Sequence, residues 1–132
     1  MSRIKRHKVL VFGNPMVERD SIPLKILRRL AKRLPEIEFK EFDPSENLER
    51  EGRKLYIIDT VEGAEKVTLI TDIGMIQTSR IYSMHDFDLG YSLKLLKKLG
   101  YIDSVKIFGV PMDISQKEAL EQLVALIRAT LP

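Results

Sequence analysis

Apolar and polar residues are distributed along this chain in blocks whose period changes from strand-like to helix-like and back. Residues 8–12 (KVLVF) form a short, nearly continuous apolar run that meets Gly13-Asn14-Pro15, the pattern of a buried strand ending in a turn. Ile22, Ile26, Leu27, Leu30, Ala31 and Leu34 then recur at helical spacing, and Pro23 falls in the first turn, where its missing N–H is tolerated. A helix is predicted over 21–34. Ile37, Phe39 and Phe42 alternate with charged residues and predict a second strand nearer an edge, closed by Asp43-Pro44-Ser45, with one or two helical turns over 46–51.

Residues 55–58 (LYII) predict a third strand ending at Asp59, and 66–73 a fourth. The link between them is too short for a crossover helix, so strands three and four should run in opposite directions. Leu89, Leu93, Leu96 and Leu99 mark a second helix from Asp86, an acceptable N-cap, to Gly100, a natural stop. Residues 105–110 (VKIFGV) are the fifth strand. Ser115 and Glu118 form a capping box at the start of a last helix with the stripe Leu120, Leu123, Val124, Ile127 and Leu131. Helices interleaved with apolar strands call for a three-layer α/β/α sandwich around a five-stranded, mostly parallel sheet with one antiparallel strand. Ligands of such sheets bind beyond the carboxyl ends of the parallel strands.

Composition narrows the function classes. The 132 residues, 44% hydrophobic and 31% charged, fit one domain over 1–132, burying roughly 65% of the unfolded surface. Cysteine is absent, which excludes a disulfide framework and thiolate ligands, so any metal must sit on nitrogen and oxygen. The apolar run after the basic residues 1–8 is too short for a signal segment or a membrane span, and a cytoplasmic protein without membrane insertion is expected. The net charge of +3 raises the question of nucleic acid. The clusters Arg28/Arg29/Lys32/Arg33 and Lys94/Lys97/Lys98, however, lie opposite the apolar stripes of predicted helices, and no aromatic residues interleave with them. They read as solvated faces, and no nucleic-acid partner is expected.

Three metal-capable residues, Asp20, Asp59 and His85, each fall where a predicted strand gives way to a loop or helix. Taken singly each has an ordinary explanation: Asp20 as a carboxylate at a helix N-terminus, Asp59 as a polar strand exit, His85 as a loop residue. Two carboxylates and an imidazole converging from three loops would make an N/O donor set suited to Zn(II), Ni(II) or a similar ion, with positions left open for chemistry. Ser83, two residues before His85, lacks an evident orienting partner for a nucleophile and base pair.

The run VLVFGNPMVERD, the strand exit LYIIDT, the segment SMHDFDLGYSLKLL and the late strand VKIFGVPMDI resemble the [NiFe]-hydrogenase maturation endopeptidases over nearly the whole chain. The resemblance implies that Asp20, Asp59 and His85 are nickel-site and catalytic residues. It also implies a peptidase that removes a short C-terminal peptide from the hydrogenase large-subunit precursor after recognising the Ni(II) that precursor carries. Asp43 is then a helper near the same edge. Where the family usually has an Asp-Gly-Gly turn after strand two, this chain reads Asp43-Pro44-Ser45-Glu46, and Arg19 stands at an often acidic position. Two alternatives remain open at this point. One is a non-catalytic binding homologue; the other is a receiver-like domain with Asp59 as phosphoacceptor, although the usual acid pair after strand one and the lysine after strand five are missing. A monomer or weak homodimer is expected.

Overall fold

A computed structural model describes residues 7–12, 22–42, 47–71, 82–83 and 86–132. Strand β1 (His7–Val11) is followed by α1 (Ile22–Lys25) and α2 (Leu27–Arg33), then by β2 (Ile37–Glu41), a 3-10 turn at Leu48–Arg50 and β3 (Lys54–Glu62). After β3 come β4 (Thr68–Ile70), β5 (Tyr82–Ser83), α3 (Asp86–Lys98), β6 (Ser104–Pro111) and α4 (Gln116–Thr130). The sheet order is β2-β1-β3-β6-β4, with β5 paired to β3. The pairs β1–β2, β1–β3 and β3–β6 are parallel, and β4–β6 and β3–β5 antiparallel. The predicted α/β architecture with a mostly parallel sheet is present, with the two-residue β5 as an addition.

Side-chain alternation along the strands separates two cores, as a sheet covered on both faces requires. Val9, Val11, Ile58, Phe108 and Val110 face Ile22, Ile26, Leu30 and Leu34 of the first helical segment and Ala119, Leu123 and Ile127 of α4. Leu10, Phe12, Leu55, Ile57, Val61 and Ile107 face Leu93 of α3, Leu48 of the 3-10 turn and Ile102. On this second face the Phe12 and Phe42 rings stack at 5.1 Å.

Each helix ends where its sequence allows. Ser115 Oγ accepts from the Glu118 N–H at 3.1 Å, the predicted cap of α4. Gly100 adopts φ +81°, the Tyr101 N–H donates to Leu96 O and the Gly100 N–H to Lys97 O, which closes α3 in a Schellman turn that a side chain at position 100 would strain. The exposed Arg33–Glu121 pair links α2 to α4, and the exposed Arg53–Asp103 pair links the starts of β3 and β6; as surface pairs they set register more than stability.

Strands three and four do run in opposite directions, but they are not neighbours. Both edges of β3 are occupied, by β6 along Lys54–Val61 on one side and by β1 and β5 on the other, so β4 pairs with the far edge of β6. Strand β4 is also shorter than the expected 66–73.

Gly109, beside Asp59 in the β3–β6 register, is required by packing: a Cβ there would stand 2.9 and 3.0 Å from the Val61 methyls. Gly109→Ala is expected to lower unfolding stability by about 1–3 kcal/mol, as overpacking does. In a Val61→Ala background the added cost should shrink, and denaturant midpoints of the four proteins measure this coupling.

The Glu51 side chain is 8% exposed; Lys40 donates to Oε2 at 2.9 Å, and Lys8 Nζ forms an ion pair with Oε1 at 2.6 Å. Burial raises the Glu51 pKa, but hydrogen bonding and charge from Lys8 and Lys40 outweigh it and leave it below the usual carboxylate value. A depressed folded pKa gives stability that is present above the unfolded pKa, about 4.3, and is lost as pH falls through the folded value. Glu51→Gln should therefore flatten the acid limb of the stability–pH curve below about pH 4.3.

Candidate functional site

The candidate site lies where β3 changes neighbours. Strand β1 accompanies β3 only as far as Val11↔Ile58, and the Phe12 N–H closes the ladder on Ile58 O at 2.8 Å. Strand β6 holds the opposite edge as far as Val61↔Pro111. The antiparallel β5, through Val61↔Ser83 and Glu62↔Tyr82, must therefore use the edge that β1 has left. Asp59 and Thr60 stand in the gap between the end of β1 and the start of β5.

Asp59 does not end its strand as the sequence pattern suggests, nor is it an exposed exit residue. Strand β3 continues to Glu62, Asp59 is paired with Gly109 of β6, and its exposure is 0%. By alternation with Leu55, Ile57 and Val61, its side chain projects to the face covered by α3. A carboxylate removed from water needs hydrogen-bond donors, and one is local: the Thr60 N–H donates to Asp59 Oδ1 at 2.8 Å. In the strand alternation that N–H points to the edge where Ile58 O meets β1, beyond β1's last pair, so the carboxylate takes over from the missing strand.

Asp20 and His85 lie outside the described residues, as does Asp43. The chain leaves the sheet at Phe12, on the segment that carries Asp20, and returns at Ile22, the first residue of α1, which packs against β3. It leaves again at Ser83, beside Val61, and returns at Asp86, the first residue of α3, which packs against β5. The two segments bearing Asp20 and His85 thus depart from the two strands that bracket Asp59. Among the described residues no cluster of three or more His, Asp or Glu side chains could hold a metal ion.

Sequence reasoning missed Thr60, also fully buried, and Gly109, which flank Asp59 along the strand and across it. The signal for Thr60 was available in the β-branched pair Thr60-Val61 following the acid, which extends the strand rather than ending it. A groove of about 330 Å³ lined by His7, Lys8, Glu51, Lys54, Tyr56 and Pro132 lies at the opposite, amino-terminal end of β1 and β3. Its one acid is already paired with two lysines, so the chemistry is not placed there.

No protein-family model and no curated protein matches the sequence. Solved structures do. The crystal structure of the hydrogenase 3 maturation protease superposes with a TM-score of 0.64 over 94% of this chain and 90% of that one, at 18% identity. The [NiFe] hydrogenase maturation protease HycI from Thermococcus kodakarensis KOD1 superposes with a TM-score of 0.59 over 95% and 91%, again at 18% identity. The fold is that of a hydrogenase maturation protease. Within this maturation-protease fold, Asp59 is the described acid at the carboxyl side of the parallel sheet next to a change of strand neighbours, where ligand sites of α/β sheets form. No described helix is long and apolar enough to cross a membrane.

The Thr60–Asp59 hydrogen bond separates two variants. Asp59→Asn keeps an oxygen acceptor and should cost less stability than Asp59→Ala, which leaves a buried N–H without this partner at about 1–3 kcal/mol. Thermal or denaturant unfolding of the two side by side checks the order.

Proposed function

We propose that this protein is an endopeptidase of hydrogenase maturation, which removes a C-terminal peptide from the large-subunit precursor after engaging the nickel that the precursor carries. The observation that carries the reading is Asp59, a fully buried acid in the gap of β3 within a hydrogenase-maturation-protease fold.

Covalent geometry supports a common site for the three residues. Position 85 is two bonds of the Cα trace from Ser83, and position 20 two from Ile22, so each is within about 7 Å of a residue whose element packs on β3 or pairs with it. Two carboxylates and an imidazole match the donor preferences of Ni(II), and a set of three leaves positions for the precursor's own ligands and a water or scissile carbonyl. The metal arrives as part of the substrate. Asp20, Asp59 and neutral His85 would hold it against the sheet edge, and a carbonyl or water polarised there undergoes hydrolysis: water oxygen bonds to the carbonyl carbon, the C–N bond breaks, and the released amine takes a proton. Asp59 has no exposed surface, so its engagement requires neighbouring segments to part when the precursor docks.

Mass spectrometry of the nickel-loaded precursor, incubated with and without this protein, tests the reading. Loss of a C-terminal fragment with the wild type, and none with Asp59→Asn or His85→Ala, is expected. Unchanged cleavage by His85→Ala would remove that residue from the site, and binding without cleavage by the wild type would identify a non-catalytic homologue.

A further inference from the structure

Helix α3 has two unlike sides. Leu93 is fully buried against the sheet and Leu96 partly so, while Tyr91, Leu95 and Leu99 on the other side are 63%, 42% and 60% exposed. Spaced four residues apart, these three make one stripe along the helix, and the Gly100 turn adds Tyr101, 55% exposed, at its end. Isolated exposed leucines are ordinary, but large apolar side chains aligned on one helix face mark an interaction surface.

The charge beside the stripe selects the occupant. At about 100° per residue, Lys94 and Lys98 form a parallel row along one side of Tyr91-Leu95-Leu99, with Lys97 beyond it, and all three lysines are exposed. The acids of the helix, Asp86 and Asp88, stand in its first turn; none follows before Asp103, which is held by Arg53. A second copy packing α3 against α3 about a two-fold axis would bring the lysine rows of both copies to one interface, where like charges are costly. A partner with apolar side chains flanked by carboxylates meets both rows favourably. Tyrosines beside leucines are the kind of anchors on which interface energy concentrates.

We propose that the Tyr91-Leu95-Leu99-Tyr101 stripe of α3, with Lys94, Lys97 and Lys98 at its border, is a docking surface for an acidic-rimmed apolar patch on the precursor protein itself. This rests on the proposed function for the identity of the partner. Helix α3 starts at the residue after His85, so a partner seated along its roughly 20 Å length is held beside the candidate site. The stripe would supply affinity at a distance from the cleaved bond.

The test measures binding and cutting separately, using the nickel-loaded precursor as the probe. The triple variant Tyr91→Ser/Leu95→Ser/Leu99→Ser should bind about tenfold or more weakly, and Lys97→Glu/Lys98→Glu should weaken binding and lessen its dependence on salt. These exposed positions should leave the melting temperature nearly unchanged, and the Lys97→Glu/Lys98→Glu variant keeps every apolar contact within the fold. Wild-type affinity in both variants, no binding by the wild type, or a wild-type dimer in light scattering that the triple serine variant dissolves would each overturn the proposal. Stripe-dependent binding without any cleavage would instead leave the docking surface standing and remove the peptidase reading.

Discussion

The site depends on a mismatch in length between β3 and its neighbour β1. Strand β3 has nine residues and is paired along nearly its whole length with β6, whereas β1 has five and stops at the level of Ile58. A backbone that loses its partner inside a buried sheet must find other hydrogen-bonding groups. Here β5 takes up the edge, in register at Val61↔Ser83 and Glu62↔Tyr82, and the Asp59 carboxylate accepts from the Thr60 N–H. The interrupted ladder thus provides a backbone donor for an acid held at full burial.

Packing also fixes the strand across from the acid. Gly109 sits across from Asp59 on β6, and the Val61 methyls occupy the space that a side chain at 109 would take. Helix α3 closes the same face through Leu93, which ties its axis to the second core while its far side stays outward. One helix thus seals the face on which Asp59 lies, begins next to His85, and carries the exposed Tyr91-Leu95-Leu99 row.

The layer architecture was legible because its signals are periodic: continuous apolar strands at 8–12, 55–58 and 105–110, helical stripes ending at Leu34, Leu96 and Leu131, and punctuation by Gly100 and Ser115, although Leu99, expected on the buried stripe, is exposed. What the pattern misread were features decided by competition between strands. The polar pair Asp59-Thr60 looks like a strand exit in one dimension, yet β6 pairs through it and keeps the chain extended to Glu62. Opposed directions for strands three and four follow from the short link, but the choice of β6 as the partner of β4 follows from occupied edges, which no local pattern encodes. The two-residue β5 is below the length at which alternation can be recognised. For the site, Asp59 could be picked out as an acid following an apolar run, while its place inside β3, its burial and its bond to the Thr60 N–H needed the sheet, and Asp20 and His85 lie outside the described residues.

In the proposed function, three side chains from separate segments share one ion-sized space around the β3 gap. The most direct measurement is a crystal structure read at the Asp20 and Asp59 carboxylate oxygens and the His85 ring nitrogens. These atoms are expected to lie, or to be brought by rotamer changes, within about 5 Å of one another, so that one divalent ion at about 2.0–2.2 Å from each could be shared. Separations that no rotamers can close to that range would contradict it.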